Sequence, residues 1–143
     1  DKRGEALGLH ALALAHALEG ALEGALQSEE QAATIVRSLG LRRMEARALS
    51  QMAMWHLRCG RTQNALQTSQ QAFAVAGGNP EMLAYVLALG EAGQGQKAVQ
   101  VARAGAERVR RGGDKREEMG VLEVLARAHL AQGDREGALA AYK

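Results

Sequence analysis

The chain has 143 residues, enough for one compact domain or a short array of repeated units. Apolar residues make up 47% but aromatics only 3%, which excludes an aromatic-dominated core and leaves Ala, Leu, Val and Met to build one. The net charge of +2, from 18 basic and 16 acidic side chains, excludes the clustered basic excess of a nucleic-acid binder, and a single proline without a long polar tract argues for helix rather than disorder.

The chain is organised as a fourfold internal repeat. The first unit, residues 1–40, carries Leu9, Leu12, Ala13 and His16 at i, i+3, i+4 and i+7, one face of a helix A. Gly20 then marks a tight turn, and a helix B comes after it with Leu22, Ala25, Leu26, Ala32, Ala33 and Val36 on its apolar face. The second unit, residues 41–78, repeats this with Leu49, Met52, Ala53 and His56, then Gly60, then Ala65, Leu66, Ala72, Phe73 and Ala76. The junction Gly77-Gly78-Asn79-Pro80-Glu81 reads as a helix stop and then a start, with Asn79 as N-cap and Pro80 as the first helical residue. The third unit, residues 79–113, has Met82, Tyr85, Val86 and Leu89 before Gly93, and Ala98 and Val99 after it. The fourth, residues 114–143 and incomplete, has Leu122, Leu125, Ala126 and His129, then Gly133, Ala138 and Leu139.

The four turn glycines are spaced by 40, 33 and 40 residues. The opening Asp1-Lys2-Arg3 returns as Asp114-Lys115-Arg116 in the same register. A difference of seven residues is close to two helical turns, so the shorter unit keeps its buried faces in phase. Each glycine supplies the left-handed backbone that ends helix A. The small residues at the Ala13 and Ala25 positions let paired helices approach closely, and large side chains there would force them apart.

These positions resemble the tetratricopeptide repeat. In the first unit the matching residues are Leu12-Ala13, His16, Gly20, Ala25 and Ala32; in the second, Met52-Ala53, His56, Gly60, Ala65 and Ala72; in the fourth, Leu125-Ala126, His129, Gly133 and Ala138. The third keeps Gly93 and Ala98 but has Val86 and Gly105 at small positions. The 40-residue units look like the longer variants of kinesin light chains and polarity adaptors. His or Leu replaces the usual Tyr, and three units lack the usual closing Pro. The resemblance implies an all-α fold, a right-handed α-solenoid of tandem antiparallel helix-turn-helix repeats. The array starts in the phase of a repeat and stops within a helix B at Ala140-Ala141-Tyr142-Lys143. Further repeats or a partner subunit are therefore expected against its C-terminal face.

No chemistry-bearing constellation emerges from the spacing. His16, His56 and His129 share one repeat slot, and units on the order of 10 Å apart cannot share a metal through bonds of roughly 2 Å. They read as core residues in an aromatic slot, with a pH-sensitive packing role as the alternative. His10 lies on a different face. Glu29-Glu30 and Glu117-Glu118 point about 100° apart along a helix and read as solvated surface or helix-start acids. Gly93-Gln94-Gly95 and Gly112-Gly113 are turns without the Lys-Ser/Thr ending of a phosphate loop. Cys59 stands alone, which leaves no internal disulfide and an undetermined compartment, and no 18-residue apolar run spans a membrane. No catalytic, metal or cofactor residues are assigned.

The resemblance places helix A on the concave side of the superhelix. Its groove positions then fall at Leu7, His10 and Leu14; Arg47, Ser50, Met54 and Arg58; Leu83 and Leu87; and Glu123, Arg127 and Leu130. The row Leu14, Met54, Leu87 is apolar with Arg47, Arg58 and Arg127 at its margins, which suits an acidic or amphipathic helix or peptide. The same leucines and methionine could instead pack on neighbouring repeats. No Asn stands at these positions, so the carboxylate clamp of chaperone-binding relatives is not expected. Trp55 reads as core or repeat interface, with an exposed anchor as the alternative. The functional expectation is a non-catalytic protein-interaction scaffold or adaptor that uses its groove or end faces. The alternatives are an accessory subunit of a large complex, organellar or photosynthetic and peripheral to a membrane, and the sensor array of a larger regulator.

Overall fold

A computed structural model describes residues 1–142. Among the described residues eight helices run in order: α1 (Lys2–Leu18), α2 (Leu22–Ser38), α3 (Arg42–Arg58), α4 (Thr62–Val75), α5 (Asn79–Glu91), α6 (Gly95–Gly112), α7 (Lys115–Ala131) and α8 (Arg135–Ala141). No strand occurs among the described residues. The short connections make consecutive helices antiparallel hairpins. The odd-numbered helices are the A helices and the even-numbered ones the B helices. The architecture is an all-α solenoid.

The turns explain the regularity. Gly20, Gly60, Gly93 and Gly133 all lie in the left-handed region, and so do Gly40 and Gly113 between units. The amide of the residue after the glycine closes each A–B turn. Ala21 N donates to His16 O at 2.8 Å, Arg61 N to His56 O at 2.9 Å, Gln94 N to Leu89 O at 2.8 Å and Asp134 N to His129 O at 2.9 Å. This is the six-to-one bond of a Schellman stop. Leu41 N repeats it to Val36 O at 2.9 Å. Because the turn fixes the chain, α2, α3, α4 and α6 begin without a side-chain cap. Asp1, Asp114 and Asp134 do cap α1, α7 and α8.

The α4–α5 junction differs from the expected cap. Gly78, not Asn79, is the N-cap, and Asn79 is the first helical residue with Pro80 behind it. The extended backbone of Gly78 takes the cap position, and the Glu81 carboxylate lies back over it where a Cβ would come within 2.8 Å. Asn79 is used elsewhere: its Nδ2 donates to the Glu117 carbonyl at 3.2 Å, tying α5 to α7. Arg108 Nη2 donates to the Gly77 carbonyl at 2.9 Å, so α6 holds the same junction.

Close helix approach is carried by the small repeat positions. Ala13, Ala53, Ala25, Ala65 and Ala98 have no measurable exposure, and Val86, Ala126 and Ala138 are buried. The slot beside them is less uniform. Tyr85 and Leu125 are buried, Met52 is half-buried, and Leu12 is 47% exposed. In later units the preceding B helix covers this side; nothing in the described chain covers it in α1. The histidine slot differs from expectation in the same way: His129 is buried, whereas His16 and His56 are only half-buried. Phe73 of α4 packs on Tyr85 of α5 with ring centroids 5.6 Å apart, joining the second and third units.

Candidate functional site

Successive A helices pack side by side from α3 to α5 and from α5 to α7, but α1 does not approach α3 in this way. One slot of the A helices differs at this boundary. Five residues before each turn glycine stand Ala15, Trp55, Ala88 and Ala128. Ala88 and Ala128 are fully buried and permit close contact. Trp55, 2% exposed, fills the same slot in α3 with an indole and packs against Ala13 of α1 and Ala25 and Leu26 of α2. It is core, not an exposed anchor.

A cavity of about 60 Å³ lies between α1 and α3, floored by α2. Ala6, Leu7 and His10 line one wall, Met44, Arg47 and Ala48 the other, and Glu29 lies at the floor. Glu29 is 1% exposed, which corrects its reading as solvated helix surface. His10 Nδ1 donates to both of its carboxylate oxygens at 2.9 Å. Burial pushes the Glu29 carboxyl above the usual range, while the His10 hydrogen bond and the charges of His10 and Arg47 oppose that rise. In the repeat register its equivalents nine residues after the turn glycine are Ser69 and Ala102, both small and buried, and the exposed Tyr142, so Glu29 is the one carboxylate in this slot.

The helix-A face continues beyond this cavity. On α3, Glu45, Leu49, Met52 and His56 line the opposite side, toward α2 and α4. Arg47, Met54 and Arg58 lie roughly half a helical turn around from them. Leu14 is 39% exposed and Leu7 51%, and Leu130 is also exposed. Met54, Leu83 and Leu87 are half-buried. Arg47 and Arg58 are exposed and form no ion pair among the described residues. In α7, Arg127 donates to Glu123 at 2.9 Å, so those two charges satisfy each other. Ser50 is buried with its hydroxyl unpartnered, which withdraws it from the accessible face. Of the expected groove residues, Leu7 and Arg47 are brought together at the cavity over Glu29, Leu14 and Arg58 are exposed, and Leu83 packs on the core of the later units. Among the described residues, no group of three His, Cys, Asp or Glu side chains gathers as a metal cradle. No described helix is long and apolar enough to cross a membrane.

No family model matches the chain, and no curated protein matches it. Solved structures do. Two crystal structures of a kinesin-light-chain-type protein of Podosopora anserina, described as having nearly identical TPR-like repeats, superpose on it. Their TM-scores are 0.80 and 0.78 at 19% identity, over 96% of this chain and 71% of theirs. At that identity the likeness shows the fold, and the fold is a TPR-like helical-repeat array.

Proposed function

We propose that this TPR-like array is a protein-interaction scaffold whose helix-A face holds an acidic, amphipathic helix or peptide. One observation carries the reading: aliphatic side chains left exposed or half-buried on the A helices, Leu7, Leu14, Met54 and Leu87, accompany Arg47 and Arg58 on α3, which form no ion pair among the described residues, Arg47 also acting on the Glu29 carboxyl. Isolated exposed leucines are ordinary, but a row of them on one face marks a contact surface. Free guanidinium groups at its edge select a carboxylate-bearing partner and speed its encounter. Glu123 and Arg127 neutralise each other, so the unpaired cations of this surface both lie on α3, in the second unit.

The test uses a panel of amphipathic helical peptides, matched in apolar residues and differing in acidic, neutral or basic margins. Binding is read by fluorescence anisotropy at two salt concentrations. Acidic peptides should bind best and lose affinity with salt. The double variant Met54→Glu, Arg58→Glu should abolish this preference. Equal affinity of the variant and the parent protein for the acidic peptides would retire the proposal.

A further inference from the structure

A second surface lies on the opposite side of the solenoid. The B helices α2 and α4 do not pack on each other, and α3 forms the floor between them. The resulting trench has a volume of about 780 Å³. Leu26, Ala33, Leu49 and Met52 give it an apolar base. Its charges are tied up at both ends: Arg61 pairs with Glu23 across the helix starts, and Arg37 Nε donates to Glu45 at 2.7 Å near the other end.

Between those ends the wall on α4 is unusual. Helix α4, Thr62–Val75, contains no acidic or basic residue at all. Its trench side presents Asn64, Gln67 and Gln71, one helix face by spacing, and Gln27 answers from α2. None of these four amides makes a side-chain hydrogen bond among the described residues, whereas Thr68 is satisfied by its own helix, donating to the Asn64 carbonyl at 2.7 Å. Solvated helix faces are normally dressed with charge. A carboxamide carries a donor and an acceptor together and so matches a peptide group. His56 adds an Nδ1 at the trench floor that is buried and unpartnered among the described residues.

We infer that this trench is a binding site for an extended peptide segment, recognised through its backbone by Gln27, Asn64, Gln67 and Gln71 and through alternate aliphatic side chains by the floor. A helical occupant does not fit this chemistry, because its own backbone groups are already paired except at its ends. From Glu23 to Arg37 the trench runs about 21 Å at the helical rise. That length seats roughly six extended residues. With the end charges already paired, Glu30 is the one charged side chain left in the wall among the described residues, so the segment is near-neutral rather than acidic. This surface shares no residue with the helix-A face and stands or falls independently of it.

The experiment is an array of six-residue peptides alternating Val or Leu with Ser, each made also with N-methylated amides at alternate positions. N-methylation removes backbone donors and keeps the side chains. The protein should bind unmethylated alternating peptides, and methylation should weaken binding about tenfold, as expected for the loss of two hydrogen bonds. The variant Gln67→Ala, Gln71→Ala should lose affinity by a similar factor while keeping its helicity, since alanine favours helix. Met54→Glu, Arg58→Glu on the other face should leave this binding unchanged. Three results would each overturn the inference: no array peptide binds better than an all-Ser control, methylated and unmethylated peptides bind equally, or the double amide variant binds like the parent.

Discussion

Gly105→Ala offers a direct measure of how tightly the helices are interlocked. Gly105 lies inside α6 and is buried. A Cβ at this position would lie 2.5 Å from Met82 Sδ, 3.0 Å from Met82 Cε and 3.7 Å from Val121 Cγ1. Non-bonded carbons prefer about 3.5–4.0 Å, so the sulfur contact is short by about 1 Å. Met82 has no exposure and sits in the core that joins α5, α6 and α7, so it has nowhere open to move. Overpacking of this kind costs about 1–3 kcal/mol. Alanine returns about 1 kcal/mol of helix propensity. The net expectation is a destabilisation of about 1 kcal/mol. Gly8→Ala is the control: it lies within α1, is exposed, and its Cβ would meet nothing within 4 Å. It should stabilise by about 0.5–1 kcal/mol. Equilibrium urea unfolding read by circular dichroism compares the two, and exchange protection of α6 amides localises the effect. If Gly105→Ala stabilises as much as Gly8→Ala, the close approach of α5 and α6 is not what holds this part of the array together.

Other perturbations have equally definite signs. Glu29 protonates more readily folded than unfolded, because burial raises its carboxyl. The native state then holds a proton that the unfolded chain has lost, so stability falls as pH rises from the ordinary carboxyl range to the raised native value. Glu29→Gln should flatten that part of the stability profile; an unchanged slope would place the titration elsewhere. His56 behaves oppositely: burial lowers it, with Glu30 working against the shift. The unfolded chain takes the proton first, so stability is lost as pH falls below the ordinary histidine value. His56→Gln should remove that loss, and a melting profile that still drops there counts against it. Ala65→Phe puts a ring into the fully buried α3–α4 contact and should cost about 1–3 kcal/mol, visible as lost exchange protection in both helices.

The repeat was legible because its sterics leave a mark at fixed positions. Left-handed turns require glycine, and close helix pairs require Ala13, Ala53 and their equivalents, so both recur in register. Exposure was less legible. Periodicity says which residues share a face, not whether a neighbour covers it, and so Leu12 and His16 read as core although one is exposed and the other half-buried. The Asn79 cap failed for a related reason. Asn, Pro and Gly all favour helix starts, and the choice of Gly78 depends on Glu81 and on the α7 carbonyl that captures Asn79. Of the helix-A residues read as a face, Leu7, Leu14, Arg47 and Arg58 are exposed, whereas Met54, Leu83 and Leu87 are half-buried and Ser50 is buried, because the neighbouring helices set burial and helical phase does not show them. The trench is invisible in the sequence because it is made by a gap between α2 and α4, and gaps have no residue pattern of their own.

Two departures from the repeat, Trp55 in a slot otherwise held by alanine and Glu29 as the one carboxylate in its slot, stand at the same unit boundary. A buried carboxylate is costly without partners. Glu29 has them only because the space between α1 and α3 admits His10 and lets Arg47 act from the opposite wall. If the Trp55 indole is what holds that space open, removing it reaches Glu29 as well. Trp55→Ala should therefore do more than delete packing. A buried aromatic-to-alanine change ordinarily costs about 3–5 kcal/mol. Here it restores the residue found at Ala88 and Ala128, where the A helices do close on each other. If α1 can follow suit, part of that cost is recovered and α1 moves toward α3. Spin labels placed at Gly8 and Arg43, on a Cys59→Ser background, report the separation directly. A shortened distance in Trp55→Ala, with the stability–pH slope that Glu29 contributes changed as the cavity over it closes, is the expected result. An unchanged or longer distance would mean that the indole fills a gap it did not create, and that the opening of α1 has another cause.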